Sequence, residues 1–175
     1  MNVIQDPATV SASGEPLVKL PHGVTFRNAV THFDDRGSVC ELMDERWDWL
    51  PEPMPMVFSY MFTLRPNKIK GWGMHMKHVD RYFVLIGEME VVMYDTREDS
   101  PTKGLLSRVH LSEWNRRLMS IPIGIWHANF NPGTKDAVII NHPSQPYDHD
   151  NPDKYRLPIG TDQIPFQFPP GANGW

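Results

Sequence analysis

Short β-type runs separated by turn residues dominate the hydrophobic pattern of this 175-residue chain. Apolar and β-branched side chains gather in runs that predict strands. The predicted strands span residues 24–30, 38–43, 57–64, 82–85, 89–94, 105–111, 118–122 and 137–141. A turn at 34–37 joins the first two as a hairpin, and a glycine turn at 86–88 joins the fourth and fifth. Spacings of about ten residues favour a β-barrel or sandwich over βαβ units.

Neither end of the chain continues this pattern. Residues 1–16 are polar with small side chains and predict a flexible arm, to which we assign no chemistry. After Pro143 the chain is rich in turn formers, and a tail of prolines and aromatic residues predicts extended chain wrapped on the barrel. We therefore expect a single domain over residues 17–175 that includes this C-terminal extension.

Composition and charge narrow the class of protein. Seventeen prolines and twelve glycines are spread along the chain, which strengthens the all-β prediction. A net charge of -4 offers no basic field for nucleic acid. No apolar run suits a membrane span or signal peptide, so we expect no membrane partner and a cytoplasmic location. Cys40 is the only cysteine, which excludes an intrachain disulfide and a thiolate zinc site.

Two histidine-containing stretches, residues 71–88 and 117–131, carry the candidate chemistry. The second has the residues of one cupin strand-turn-strand unit at the expected offsets, namely Pro122, Gly124, His127 and Asn131. The first has His75 and the glycine turn at Gly87, but Asp80 stands at the usual glutamate position and Gly73 where metal cupins carry another histidine. The chain therefore resembles a cupin, a double-stranded β-helix or jelly-roll barrel with short N- and C-terminal extensions.

Three segments narrow this resemblance, residues 33–41, 94–104 and 121–127. They resemble the dTDP-4-dehydrorhamnose 3,5-epimerase family of nucleotide-sugar epimerases. The resemblance implies a cofactor-free enzyme that removes and returns a proton beside the ketone of a nucleoside-diphosphate-linked 4-keto sugar. It also implies a homodimer, because the family pairs barrels through exposed sheets. The reaction needs a base, a group that stabilises enolate charge, and an acid on the opposite ring face.

The resemblance assigns these roles to three residues. His75 takes the position of the family's base, and an imidazole can accept a proton near neutral pH. His127 would hold the ketone oxygen, and Tyr147 would be the acid. The structural alternatives are a buried polar histidine at 75, a histidine bonded to a backbone carbonyl at 127, and an ordinary packed tyrosine at 147.

Four more residues form the predicted substrate-binding set. Lys70 takes approximately the place of the family's phosphate-binding arginine, as a point charge without the guanidinium fork. A solvated surface lysine is the alternative. Trp72 and Trp126 flank the histidines and could stack on a base or sugar, although strand alternation would equally allow core or interface positions. His78 completes the set.

The chain departs from the family pattern at the residue that stabilises the enolate and at the residue that orients the base. Asp80 stands where the family has a lysine, and an ionised aspartate would repel the enolate that a lysine stabilises. The family's late aspartate, which orients the base, has only Asp162 as a counterpart in the tail. Asp80, Asp95 or His78 could substitute for it.

A divalent metal is one alternative that resolves both departures. Ligands His75, Asp80 and His127 would hold a cation that restores the missing positive charge, with His78 replacing the ligand absent at Gly73. The chain would then be a metal-dependent cupin isomerase or a 3,4-ketoisomerase. A non-catalytic sugar-binding cupin is the remaining alternative. We favour the metal-free epimerase.

Overall fold

The computed structural model describes residues 3–13, 17–50 and 55–174. Its described part contains β-strands and no helix, which confirms the all-β prediction. In chain order the strands are β1 (Thr25–Asn28), β2 (Thr31–Asp34), β3 (Gly37–Cys40), β4 (Tyr60–Leu64), β5 (Lys68–Met74), β6 (Asp80–Ile86), β7 (Glu88–Asp95), β8 (Leu106–Ser112), β9 (Arg117–Ile121), β10 (Ile125–Phe130), β11 (Ala137–Asn141), β12 (Tyr155–Arg156) and β13 (Asn173–Gly174).

Two sheets enclose the main hydrophobic core. The first has the strand order β1-β9-β6-β11-β4, and the second has the order β12-β5-β10-β7-β8 with β13 added beside β5. Their strands pair antiparallel except for β13, which runs parallel to β5. Val84 and Ile139 from the first sheet share one apolar cluster with Val91 and Met93 from the second. This is the jelly-roll barrel of the cupin fold.

A second apolar cluster covers the outer face of the six-stranded sheet. Because side chains alternate along a strand, Val92 points away from the barrel interior that Val91 and Met93 fill. Trp72 on β5 lies on the same outer face and is fully buried there. Tail residues Ile164, Phe166 and Phe168 pack over this face. The C-terminal extension therefore contributes to the core, and the single domain over residues 17–175 stays a prediction.

The first predicted hairpin forms between different residues. Residues 24–30 were expected to pair with 38–43, but the hairpin joins β2 to β3, with Asp34 opposite Gly37. Strand β1 instead pairs with β9 at the edge of the five-stranded sheet, where Thr25 lies opposite Ser120. The predicted strand thus has a long-range partner that the local pattern does not encode, and the hairpin forms from residues 31–34, which follow that strand.

Strand β5 has no counterpart among the predicted strands. Two glycines and two lysines interrupt its apolar alternation. Gly71 is required by a close approach, since a Cβ there would lie 2.6 Å from the Ala128 Cα, and its φ is +137°. Gly71 thus interrupts the pattern from which a strand would be predicted, and it also allows β5 to approach β10.

The N-terminal segment bears only partly on the predicted arm. Residues 3–10 are exposed, and the Leu17 amide donates to the Thr9 carbonyl at 2.9 Å. Residues 1, 2 and 14–16 of that segment lie outside the described residues. The flexible arm stays a prediction. Within the described ranges, no helix is long and apolar enough to cross a membrane.

Replacement of Ile164 tests whether the tail is part of the folded domain. The side chain is 3% exposed, and truncation of such a buried isoleucine to alanine costs about 2–5 kcal/mol. We expect Ile164→Ala to lower the urea midpoint accordingly. The neighbouring exposed Gln167 is the control, because Gln167→Ala should change the unfolding free energy by less than about 0.5 kcal/mol. Equal midpoints for both variants would contradict a packed tail.

Candidate active site

A cavity of about 400 Å³ is lined by strands of both sheets and by the chain that follows β11. Its aromatic and proline wall consists of Phe58, Tyr60, Phe62, Pro143 and Pro146. Its polar lining includes His75, His78, Tyr82, His127, Asn129, Gln145, Tyr147 and Asp153. Three cationic residues complete it, namely Lys70, Lys154 and Arg156. An apolar cavity with a few convergent polar groups is the usual form of a small-molecule site.

The buried carboxylate of Asp80 organises the polar side of this cavity. Asp80 begins β6 and is 2% exposed. The Tyr82 hydroxyl donates to its Oδ2 at 2.8 Å, and the Asn141 amide donates to its Oδ1 at 2.7 Å. Asn141 is held in turn by the Arg81 backbone amide at 2.9 Å. The pairing of β6 with β11 therefore fixes both the carboxylate and one of its donors.

Two imidazoles face the same Asp80 oxygen. The Nε2 atoms of His75 and His127 lie 3.3 Å and 3.4 Å from Oδ2. The Nδ1 of His127 lies 3.1 Å from the Ile125 carbonyl, and its Nε2 lies 3.3 Å from the Tyr82 hydroxyl. Strand β10 carries His127 opposite Gly73 of β5, and His75 directly follows β5. The pairing of β5 with β10 thus places both rings beside the Asp80 carboxylate.

Asp153, from the chain after β11, orients two of the histidines. Its backbone carbonyl lies 2.5 Å from His75 Nδ1, and its Oδ2 lies 2.9 Å from His78 Nδ1. The carboxylate also accepts the backbone amides of Met76 and Lys77 at 2.9 Å and 2.8 Å, and that of His78 at 3.2 Å. These amide bonds outweigh burial and hold the pKa of Asp153 below its usual value.

The histidines and Asp80 shift one another's pKa values. Burial alone would raise the pKa of Asp80, but hydrogen bonds from His127 and His75 hold it well below the usual range. Burial alone would lower the pKa of His75, but the hydrogen bond and charge of Asp80 raise it. Burial, followed by the charge of His75, lowers the pKa of His78. The stacked pair His75 and His78, with ring centroids 4.0 Å apart, is thus divided between a more basic and a less basic imidazole.

Two tyrosines of the cavity are held in the protonated form. Burial, followed by the charge of Asp80, raises the pKa of Tyr60 to about 12. The same two causes raise the pKa of Tyr82 well above its usual value. Both hydroxyls also lie in the Asp80 network, since Tyr60 accepts from Asn141 at 3.0 Å. They act as fixed neutral groups around the carboxylate.

The cavity lining also carries a cationic group of three residues, Lys70, Lys154 and Arg156. Burial lowers the pKa of Lys154, and the nearby positive charges of Arg156 and Lys70 lower it further. Arg156 lies opposite Gly73 in the β12–β5 pairing. Lys70 Nζ lies 5.1 Å from the Phe62 ring centroid. Cations gathered in this way suit a multiply charged anion.

Known proteins share both the sequence and the fold. The probable low-salt glycan biosynthesis epimerase of Haloferax volcanii is 32% identical over 138 residues, which are 78% of this chain and 87% of that protein. The spore coat polysaccharide biosynthesis protein of Bacillus subtilis is 33% identical over 146 residues, 83% of this chain and 95% of that protein. No family model matches the sequence.

The solved structures agree with these relatives. A crystal structure of a dTDP sugar isomerase from Desulfovibrio desulfuricans G20 superimposes with a TM-score of 0.76 at 26% identity, covering 85% of this chain and 94% of that one. The chain belongs to the family of these sugar epimerases, and its fold is that of dTDP-4-dehydrorhamnose 3,5-epimerases. Its expected enzyme class, a sugar epimerase, is thereby confirmed.

Most residues predicted for the epimerase site line one cavity. These are Lys70, His75, His78, His127 and Tyr147, with Asp80 directly behind the histidines. Trp72 and Trp126 are the exceptions, because both belong to the outer apolar cluster and neither lines the cavity. Strand alternation explains their position: Trp126 directly precedes His127 and therefore faces the other side of the sheet. Their predicted stacking on substrate is corrected to packing beneath the tail.

Other polar residues of this cavity were not predicted from the sequence. Asp153, rather than the suggested Asp162, contacts the histidines. Asn141 and Tyr82 support Asp80, and Asn129 lines the cavity with its Oδ1 buried and without a hydrogen-bond partner among the described residues. Alternation along β10 from His127 would have found Asn129. No local signal marks Asp153, which acts from a turn-rich segment far along the chain.

A metal ion would have to compete with this hydrogen-bonded network. His75, His78 and Asp80 each bring one ligand atom within 4.8 Å of the others, so the described residues could hold a cation. However, the Asp80 carboxylate already accepts from Tyr82 and Asn141 and faces two imidazoles, and a carboxylate has only about four acceptor positions. A cation would displace these contacts, so the residues fit proton transfer better than coordination.

Chelation tests the metal-dependent alternative. We expect dialysis against EDTA to leave turnover of a dTDP-linked 4-keto sugar and the melting temperature unchanged, because the Asp80 contacts do not need a cation. Turnover should be followed by NMR, and metal content by elemental analysis before and after dialysis. A stoichiometric ion whose removal abolishes turnover and whose return restores it would contradict the metal-free interpretation.

Proposed function

We propose that this protein epimerises a nucleoside-diphosphate-linked 4-keto sugar by removing and returning a proton at a carbon beside the ketone. The observation that carries the proposal is the convergence of three histidines on buried Asp80 at a cavity that also bears Lys70, Lys154 and Arg156. Proton-transfer groups and an anion-binding group thus share one cavity. The names of the two curated relatives, which refer to glycan and polysaccharide biosynthesis, agree with a sugar substrate.

The cationic group is suited to the diphosphate of the nucleotide. Lys154 and Lys70 provide point charges, and Arg156 provides a planar fork that can bind two phosphate oxygens. The sequence assigns this role to Lys70 alone. Lys154 and Arg156 strengthen the proposal, because Lys154 lies close enough to both Arg156 and Lys70 for their charges to lower its pKa. The base of the nucleotide would then lie toward the aromatic wall, where Phe58 or Phe62 could stack on it.

The histidine side of the cavity is suited to the sugar. Asn129 lies in this part of the lining, and its Oδ1 lacks a partner within the described ranges. Because this oxygen is shielded from solvent, it would accept from a sugar hydroxyl once the Asn129 side chain turns toward the cavity. His127 would bind the ketone oxygen, in agreement with its expected role. Gly73 leaves room beside these groups, since a Cβ there would meet nothing within 4 Å.

The acid on the opposite ring face would be Tyr147. It lines the cavity and is 46% exposed, so its proton can be replaced from solvent. Tyr60 and Tyr82 are less suitable, because Tyr60 accepts from Asn141 and Tyr82 donates to Asp80. Burial and the charge of Asp80 also raise both of their pKa values. Tyr147 therefore keeps the acid role that the family resemblance implies.

Deuterium exchange tests the reaction and excludes a sugar-binding protein without catalysis. The protein should be incubated in D₂O with dTDP-4-keto-6-deoxyglucose and followed by proton NMR. We expect solvent deuterium at a carbon beside the ketone, together with a new epimer; label at one position indicates a single-centre epimerase and label at two a 3,5-epimerase. Saturable binding without exchange would support the binding protein, and a shift of the ketone from carbon 4 to carbon 3 would support the ketoisomerase.

The expected homodimer remains part of the proposal. The β2–β3 hairpin pairs only with itself among the described residues and exposes Phe33 and Val39, 78% and 67% accessible. Exposed apolar side chains on a projecting hairpin suit a second copy of the chain. The cytoplasmic location expected from the sequence also stays a prediction.

Sedimentation tests the homodimer. At micromolar concentration we expect a dimer for the native chain and a shift toward monomer for the double variant Phe33→Asp, Val39→Asp, because a charge on either side chain would be desolvated at the interface. The exposed Trp114 provides a control, since Trp114→Asp should leave the dimer intact. A monomeric native chain would contradict the prediction.

A further inference from the structure

The two stacked histidines of the cavity differ in what occupies their ring nitrogens. We propose that His78 is the base that removes the proton and that His75 is a fixed cation that stabilises the enolate oxygen. This assignment rests on the proposed epimerase function and exchanges the role that the family resemblance gives to His75. It is argued from hydrogen-bond acceptors around each ring.

His75 has an acceptor oxygen at both ring nitrogens. Nδ1 lies 2.5 Å from the Asp153 backbone carbonyl, and Nε2 lies 3.3 Å from the Asp80 carboxylate. Neither oxygen carries a proton, so both contacts are favourable only when each nitrogen is a donor. The ring is then an imidazolium, which cannot take another proton. The raised pKa of this histidine, in which Asp80 outweighs burial, agrees with that state. His127 is likewise unsuited to act as the base, because its Nδ1 faces the Ile125 carbonyl and its Nε2 faces the Asp80 carboxylate.

Among the described residues, His78 has a hydrogen-bond acceptor at one nitrogen only. Nδ1 lies 2.9 Å from Asp153 Oδ2, whereas Nε2 lies 3.7 Å from Asp80 Oδ1, beyond hydrogen-bond distance. A proton on Nδ1 leaves a lone pair on Nε2 of a residue that lines the cavity. The Asp153 carboxylate fixes this tautomer and would stabilise the ring once it is charged, as a base needs.

The charges around the two rings support one cation rather than two. The ring centroids are 4.0 Å apart, so a second positive charge would be repelled by the first. The charged and titratable groups that face His78 are His75, Asp80 and Asp153. With His75 as the cation and Asp80 as its counterion, His78 stays neutral until it accepts the substrate proton.

The assignment also explains how the site functions without the family's lysine. The C–H bond beside the ketone breaks, its proton moves to His78 Nε2, and its electron pair passes into an enolate. The ketone oxygen lies beside His127, whose ring centroid is 5.5 Å from that of His75, so its developing negative charge is stabilised by the His75 imidazolium, which Asp80 keeps protonated. Tyr147 then returns a proton to the opposite face, and solvent exchange restores both residues.

Matched substitutions separate a base from a cation. His78→Asn keeps an amide that can donate to Asp153 but removes the Nε2 lone pair. His75→Lys keeps a positive charge, whereas His75→Gln loses it. Deuterium wash-in from D₂O into dTDP-4-keto-6-deoxyglucose should be measured for each, with dTDP affinity and melting temperature as checks on folding. His110→Asn, on β8 and outside the cavity lining, is the control.

We expect His78→Asn to lower the kcat of exchange by about 10²–10⁴-fold with KM within about threefold, since that is the range of a lost general base. His75→Lys should stay within about tenfold of the native enzyme, and His75→Gln should fall about 10²–10³-fold, as for a lost electrostatic donor. Exchange by His78→Asn near the native rate, or equal losses for His75→Lys and His75→Gln, would overturn the assignment. No exchange by the native enzyme would overturn the proposed function and, with it, this assignment.

Discussion

The ionised carboxylate of Asp80 is the constraint on which the cavity depends. Asp80 is 2% exposed, and a charge buried in this way is stable only when hydrogen-bond donors surround it. The donors here are Tyr82, Asn141 and two imidazoles. Each donor comes from a different strand or strand end. The same contacts that make the buried charge tolerable therefore hold β6, β10, β11 and the residue after β5 in one arrangement.

In the proposed assignment, the aspartate changes the electrostatics of the site without reversing them. In isolation it would repel an enolate, which is why the sequence marks Asp80 as a departure from the family pattern. In the folded chain its charge lies behind His75 and His127 and is directed at their nitrogens. An imidazolium supported by a buried carboxylate presents positive charge to the cavity, so a histidine and an aspartate together can replace one lysine.

Site residues that lie close together in the sequence could be predicted, whereas contacts between segments far apart in the sequence could not. His127, Gly124 and Pro122 lie within one turn and strand, so their spacing carried the fold and one site residue. The environment of His75 required Asp153, which lies 78 residues away in sequence and reaches it through a backbone carbonyl. Every residue has a backbone carbonyl, so this contact cannot be predicted from the type of residue at position 153. Trp72 and Trp126 were misplaced because period two alone does not say which face of a strand is inside.

The sequence by itself determined the strand pattern, the glycine turns and the family, because turn chemistry and side-chain period are local properties. It also indicated that His75, His127 and Asp80 would belong to one site. Only the tertiary structure decided which imidazole nitrogen meets a carbonyl, which meets a carboxylate and which remains open to the cavity. Those contacts depend on strand register and on the course of the chain after β11, which bring together groups that no local pattern relates.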